Sequence, residues 1–184
     1  RYAVEDLYGA ETLGYFATVS MVTVIMNTLA GSVWFVIMPS LSRYFVSKDY
    51  GRLKKQVVII SAAVLLITAA LVPLGEWVGG WVFSLIFGAE ILPHMYLLPM
   101  TIISSGFLTV ATFLSTVLIA IRKRMLMLLS MLIGAVLLTA LAFPLTNACG
   151  SIGALYAFTA AVCLEIIPML IIVFHTCRKG TVKL

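Results

Sequence analysis

The chain has 184 residues, of which 62% are apolar and 10% charged, and its net charge is +5. Soluble domains carry about 45–50% apolar and about 25% charged residues, so this composition excludes a disordered chain and argues against a soluble globule. A bilayer core about 30 Å thick takes about 20 apolar residues per helical crossing, which makes an all-α, polytopic transmembrane bundle the expected fold class.

Five apolar stretches follow in order, at about 13–38, 56–74, 95–121, 125–145 and 152–174. At about 1.5 Å per residue even the shortest reaches roughly 28 Å. A further run, Trp77–Phe87, is short and flanked by Glu76 and Glu90; it is expected to lie in the interface rather than cross, with Trp77 and Trp81 at headgroup depth. The basic residues fall between these stretches with a bias. Arg43, Lys48, Arg52, Lys54 and Lys55 follow the first, Arg122, Lys123 and Arg124 the third, and Arg178, Lys179 and Lys183 the fifth, so eleven of the twelve share one side. The other side receives Arg1 with Glu5, Asp6 and Glu11, then Glu76 and Glu90, then the uncharged Asn147–Gly150 turn. The positive-inside rule then puts the start of the chain outside and its end in the cytoplasm. The opening on Arg1, with no signal-type segment behind it, is expected of a piece of a longer protein.

Polar residues inside the spans are the candidate functional residues. Ser20, Thr23, Asn27, Gly31 and Trp34 of the first span fall within an arc of about 80° at helical spacing, and Asn27 lies near mid-span, where an amide facing lipid is costly. In the third span Thr101, Ser104, Ser105, Thr109, Thr112, Ser115 and Thr116 occupy an arc of about 140°. Such a face is either a wet, substrate-facing wall or a row of hydroxyls each bonded to a carbonyl one turn back. Glu165 is the one ionisable residue deep in a span, a candidate proton or cation coupling site or else a structural hydrogen bonder. From these residues Thr23, Asn27, Thr101, Ser105, Thr112 and Glu165 are taken as lining a transport cavity.

The basic clusters are topology signals rather than a nucleic-acid surface, because no aromatic residues interleave them. No HExxH, GxSxG, Walker loop or CxxC occurs, and His94 and His175 fall on opposite sides. Cys163 and Cys177 are separated by about 21 Å of helix, too far to share a metal. Neither an enzyme nor a metal or other cofactor is expected.

Five short stretches carry a family resemblance. Arg1-Tyr2-Ala3-Val4-Glu5-Asp6 with Leu13-Gly14-Tyr15-Phe16, Met38-Pro39-Ser40-Leu41-Ser42-Arg43, Leu53-Lys54-Lys55, Ile86-Phe87-Gly88-Ala89-Glu90 and Gly150-Ser151-Ile152-Gly153-Ala154 resemble, in order, the C-terminal half of bacterial polysaccharide flippases. These are of the O-antigen type, within the multidrug/oligosaccharidyl-lipid/polysaccharide exporter superfamily. The resemblance implies that residues 1–184 are most of the second lobe of a two-lobe transporter of the bacterial inner membrane, whose partners are the missing N-terminal lobe and the glycan assembly machinery. It further implies transfer of an undecaprenyl-pyrophosphate-linked oligosaccharide between leaflets by alternating access, with H⁺ or Na⁺ as the coupling ion. No Lys or Arg lies inside a span, so a pyrophosphate would be met by the other lobe or by Arg1 and Arg43 at span ends. The alternatives are a cation-coupled multidrug antiporter of the same superfamily, using Glu165 directly, and a non-transporting membrane component of glycan assembly.

Overall fold

A computed structural model describes the backbone of residues 2–181 and the side chains of residues 14–88, 90–150 and 152–178. Five helices follow one another: α1 (Tyr2–Val46), α2 (Tyr50–Phe87), α3 (Leu98–Ala120), α4 (Arg124–Cys149) and α5 (Ser151–Thr181), with a 3₁₀ segment, Ala89–Leu97, between α2 and α3. No strand occurs among the described residues, and each of the five helices is long and apolar enough to cross a membrane. Helices suit that solvent because every backbone N–H and C=O within a span bonds inside its own segment. Pro39, Pro73, Pro144 and Pro168 lie within helices that continue past them, while Pro99 occupies the first turn of α3, where no intrahelical N–H bond is lost.

α3 is the axis. Of its most apolar stretch 67% is buried, against 11% in α2 and in α4. α1, α2 and α5 pack around it, and α4 lies outside them, mainly on α5. Two apolar clusters hold the bundle. One joins Leu41, Leu53, Ile121, Val173 and Cys177, which brings the ends of α1, α3 and α5 and the start of α2 to a single end of the molecule, called here the basic end. The other joins Phe16, Val19, Ile91, Leu97, Ile102 and Leu155 at the far end.

The turns at the two ends differ. At the basic end, Lys48 (φ 58°) and Arg122 (φ 61°) are in left-handed conformation. Behind each, the helix closes by paired bonds: Lys48 N–H to Phe45 O and Asp49 N–H to Tyr44 O, Arg122 N–H to Ile119 O and Lys123 N–H to Leu118 O. That is the Schellman arrangement, which satisfies the last carbonyls of a helix. Asp49 then starts α2, its carboxylate accepting from the Arg52 N–H and pairing with the Arg52 guanidinium at 3.1 Å. At the far end the turns are made by Gly88 (φ 85°, ψ 170°) and Gly150 (φ 69°, ψ −156°).

Two expectations need adjustment. Trp77–Phe87 is not a separate interfacial segment but the last three turns of α2. From Lys55 to Glu76 is about 32 Å of helix, one bilayer core, so these turns continue beyond a completed crossing; Trp77 and Trp81 are 85% and 68% exposed. The third apolar stretch is likewise divided, its first residues belonging to the 3₁₀ segment and the rest to α3. Arg1 and the side chains of Glu5, Asp6, Glu11, Lys179 and Lys183 lie outside the described residues.

Candidate functional site

Five of the six cavity candidates meet along the α1/α3 seam. Thr23 Oγ1 and Ser105 Oγ are 2.8 Å apart, and Ser105 Oγ lies 2.6 Å from the carbonyl of Thr101. A hydroxyl has one proton to give, so the chain runs from Thr23 to Ser105 to the Thr101 carbonyl. Asn27 donates to Thr23 O at 2.9 Å, which ties it to the same turn of α1. Two turns further along α3, Thr112 accepts from Trp34 Nε1 at 3.3 Å.

The seven hydroxyls of α3 all bond backbone carbonyls three or four residues back, Thr101 reaching Leu97 just before the helix and the others carbonyls of α3 itself. Thr101, Ser104, Ser105, Thr109 and Ser115 are buried as well, so this face is packed between helices, and its protons are occupied there. It also ties α3 to α5: Ser104 and Thr159 hydroxyls are 2.6 Å apart, and Ser115 Oγ approaches Met169 Sδ at 3.8 Å. Thr159 was not singled out in the sequence, because a single threonine in an apolar helix gives no pattern of its own.

Glu165 stands apart. It is half-buried on α5 and seated against Gly134 of α4, where a Cβ would lie 2.8 Å from its Oε2 and 3.2 Å from its own Cβ. Gly134 and, one turn earlier, Ser130 are buried on the α5-facing side of α4, and the Ser130 hydroxyl is bonded to Leu126 O. Among the described residues no hydrogen bond or ion pair reaches the Glu165 carboxylate. Gly134 is the close neighbour of Glu165 that sequence reasoning missed; a glycine inside an apolar helix was the available signal. Arg43 is exposed at the basic end of α1, about 30 Å along the helix from Thr23, so it belongs to a different level of the bundle from the hydroxyl seam.

Two more features complete the picture. Among the described residues, Asn27 Oδ1, Gln56 Oε1 and Ser61 Oγ are closed off from solvent with no hydrogen-bond partner. A groove of about 480 Å³ runs between α1 and α2 over α3, walled by Leu29, Val33, Ile59 and Ile67 and floored by Trp34, Thr68 and Thr109. Among the described residues no group of three His, Cys, Asp or Glu could hold a metal.

The chain is 31% identical over 128 residues to the capsular polysaccharide biosynthesis protein CapF of Staphylococcus aureus. The matched segment is 67% of this chain and 31% of CapF, so the chain spans about a third of the length of that relative. No family model matches the chain, and no solved structure gives a significant match. The described residues thus form a bundle of five helices, each long and apolar enough to cross a membrane, and the chain is similar to a polysaccharide biosynthesis protein.

Three of the short stretches that carry the flippase resemblance fall where helices end. Met38–Arg43 closes α1 beside the buried Leu41. Ile86–Glu90 contains the Gly88 elbow, and Gly150–Ala154 contains the Gly150 elbow and Gly153. Gly153 is so close to the backbone of Leu145 and Thr146 that a Cβ would collide with the Leu145 carbonyl. These stretches specify how the chain turns and packs.

Proposed function

We propose that the chain is the second lobe of a transporter that moves an undecaprenyl-pyrophosphate-linked oligosaccharide from the inner to the outer leaflet of a bacterial plasma membrane. The observation that carries this reading is the similarity to CapF across two-thirds of a chain whose five helices can each cross a bilayer. Alternating access between two lobes needs each lobe to move as a body. The α1/α3/α5 hydroxyl bonds and the two apolar clusters are the kind of internal ties that keep a lobe rigid. The basic end faces the cytoplasm in this reading, and the pyrophosphate is met by the missing N-terminal lobe and by cations at span ends. The chain performs no covalent chemistry of its own, and neither a cofactor nor a nucleic acid takes part.

The test is deletion of the gene. Lipid-linked repeat units should accumulate on the inner leaflet while surface glycan is lost, and both should recover with the intact gene. Undisturbed surface glycan in the deletion strain would remove the proposal. Loss of surface glycan with no stalled repeat units would favour a non-transporting component of glycan assembly.

Glu165 favours a second reading, that of an antiporter carrying an amphipathic cation against H⁺ or Na⁺, because it is a carboxylate within a candidate span with no ion-pair partner among the described residues. The same residue is the coupling candidate in the flippase reading. Glu165→Gln keeps the shape and removes the charge, and it should make transport indifferent to the H⁺ or Na⁺ gradient at unchanged protein level. Gly134→Ala should push the carboxylate from its seat and weaken the coupling part-way. Transport by Glu165→Gln that still follows the gradient would exclude the carboxylate from coupling in both readings.

A further inference from the structure

We propose that the groove between α1 and α2 is a binding site for one hydrocarbon chain of an anionic phospholipid, whose phosphate is held at the basic end by Arg43 and Lys55. The site is independent of the transport reading, since a bundle that moved no saccharide would still bind the lipid.

The dimensions limit the occupant. The groove runs from Met26 to Ile37 on α1 and from Ile59 to Leu71 on α2, which is about 17 Å at 1.5 Å per residue. Over that length, a groove of about 480 Å³ is large enough for a single extended alkyl chain. The length also matches half of a bilayer core about 30 Å thick, the depth that a chain anchored in one leaflet reaches. Beyond Met26 and Leu71 the two helices are packed through Val22 and Val72 into the far-end cluster. Below Ile37 and Ile59 they are packed through Leu41, Leu53 and Val57 into the basic-end cluster. Access is therefore sideways, between the exposed walls Leu29, Val33, Ile59 and Ile67.

The chemistry limits it further. The three polar side chains of the floor have their protons committed: Thr68 to Val64 O, Thr109 to Ser105 O and Trp34 Nε1 to Thr112. Among the described residues nothing in the groove is left to donate to a sugar, and no carboxylate lines it to hold a cationic drug. Charge enters only at one end. Arg43 follows Ile37 by about 9 Å on one wall helix, and Lys55 precedes Ile59 by about 6 Å on the other. Both are exposed and neither forms an ion pair among the described residues, whereas Arg52 is engaged by Asp49 and Lys54 lies over the Phe174 ring at 5.2 Å. Cations from both walls, ahead of an apolar channel one leaflet deep, are complementary to a phosphodiester headgroup with its chain behind it.

Trp34 on the floor is the reporter. In a Trp77→Phe/Trp81→Phe background it is the one tryptophan left of the chain's three. The chain is reconstituted in phosphatidylcholine vesicles containing a graded fraction of phosphatidylglycerol or phosphatidylcholine with brominated acyl chains, and quenching is recorded. Brominated phosphatidylglycerol should quench at a mole fraction at least fivefold lower than brominated phosphatidylcholine, about fivefold being the expected worth of one cation near the surface. Arg43→Gln/Lys55→Gln should abolish that preference. Ala30→Phe/Ala63→Phe should fill the groove and reduce quenching by both lipids, its melting temperature reporting that the bundle remains folded. Lys123→Gln, at the same end on another helix pair, should leave the preference intact. Equal quenching by the two lipids overturns the proposal. So does absence of quenching by either, which would mean that protein covers the groove. Displacement by unbrominated undecaprenyl phosphate at a lower mole fraction than phosphatidylglycerol would assign the groove to a prenyl chain and overturn the phospholipid assignment.

Discussion

The two ends of the bundle reverse direction by different means. At the far end the elbows are Gly88 and Gly150, at dihedrals open essentially to glycine alone, with φ positive and ψ near 180°. At the basic end the same reversal is made by Lys48 and Arg122 in left-handed conformation, a region where glycine is the usual occupant and a side chain costs about 1 kcal/mol. The far end is therefore set by sterics. At the basic end a small steric cost is carried in favour of positive charge, at two turns of the same geometry, and charge flanking the spans is what orients a membrane protein. One end is set by shape; the other carries the charge expected to set direction.

The largest expected effect attacks shape. Gly153→Val places a side chain against the backbone of Leu145 and Thr146, which no rotamer can relieve, and it should cost more than about 4 kcal/mol. In a detergent melting experiment the α4/α5 pair should come apart well below the unfolding of the original chain. An unchanged melting temperature would show that the two helices do not pack this closely. Gly88→Ala is milder: nothing lies within 4 Å of the added methyl, so only the dihedral penalty of about 1–3 kcal/mol remains.

The next effect attacks direction. Arg122→Gln/Lys123→Gln/Arg124→Gln removes the charge between α3 and α4 while leaving exposed side chains in place. Stability should stay within about 0.5 kcal/mol, yet a fraction of the molecules should insert with this turn on the wrong side. The readout is labelling of a cysteine at position 128 or 147 by an impermeant reagent on intact cells, before and after the triple change. A labelling pattern indifferent to the three charges would deprive the basic end of its orienting role.

How much of this was legible in the sequence follows the same division. Apolar run length and the positions of Arg43–Lys55 and Arg122–Arg124 gave five helices and a basic end, because crossing length and charge are properties of single segments. The order of burial was not legible: the most apolar stretch of α3 is no more apolar than that of α2, and its central place comes from hydroxyls and Gly106 that let neighbours approach. Thr68 of α2 packs directly on Gly106, whose Cβ would lie 2.8 Å from that of Thr68. The hydroxyl arc of α3 was visible as a face, but whether it met water or helices depends on Thr23, Trp34 and Thr159, which are up to 82 residues away. Glu165 was visible as a lone charge, and its seat on Gly134 was not, since contact between α4 and α5 is a matter of rotation about two helix axes. Trp77–Phe87 was separated from α2 because the flanking Glu76 reads as a break, whereas the helix runs through it to Phe87.

The smallest effect brings shape and direction into opposition at one residue. Arg122→Gly relieves the left-handed strain at the end of α3 and leaves the two Schellman bonds, Arg122 N–H to Ile119 O and Lys123 N–H to Leu118 O, untouched because both are made by backbone. Glycine gains more freedom in the unfolded chain, which offsets part of the relief, so the net gain should be about 0.5 kcal/mol. Lys48→Gly should behave alike at the α1/α2 turn. Each removes one cation from a cluster that keeps two or more, so orientation should scarcely change in either single variant. If both are combined, stability should rise by about 1 kcal/mol, the sites being independent turns, while misoriented insertion becomes measurable by the same labelling. A combined variant that is more stable and still fully oriented would mean that Lys48 and Arg122 are not there for direction. One that is less stable would mean that their side chains contribute contacts beyond the backbone turn, and the contrast between the two ends would then rest on packing rather than on charge.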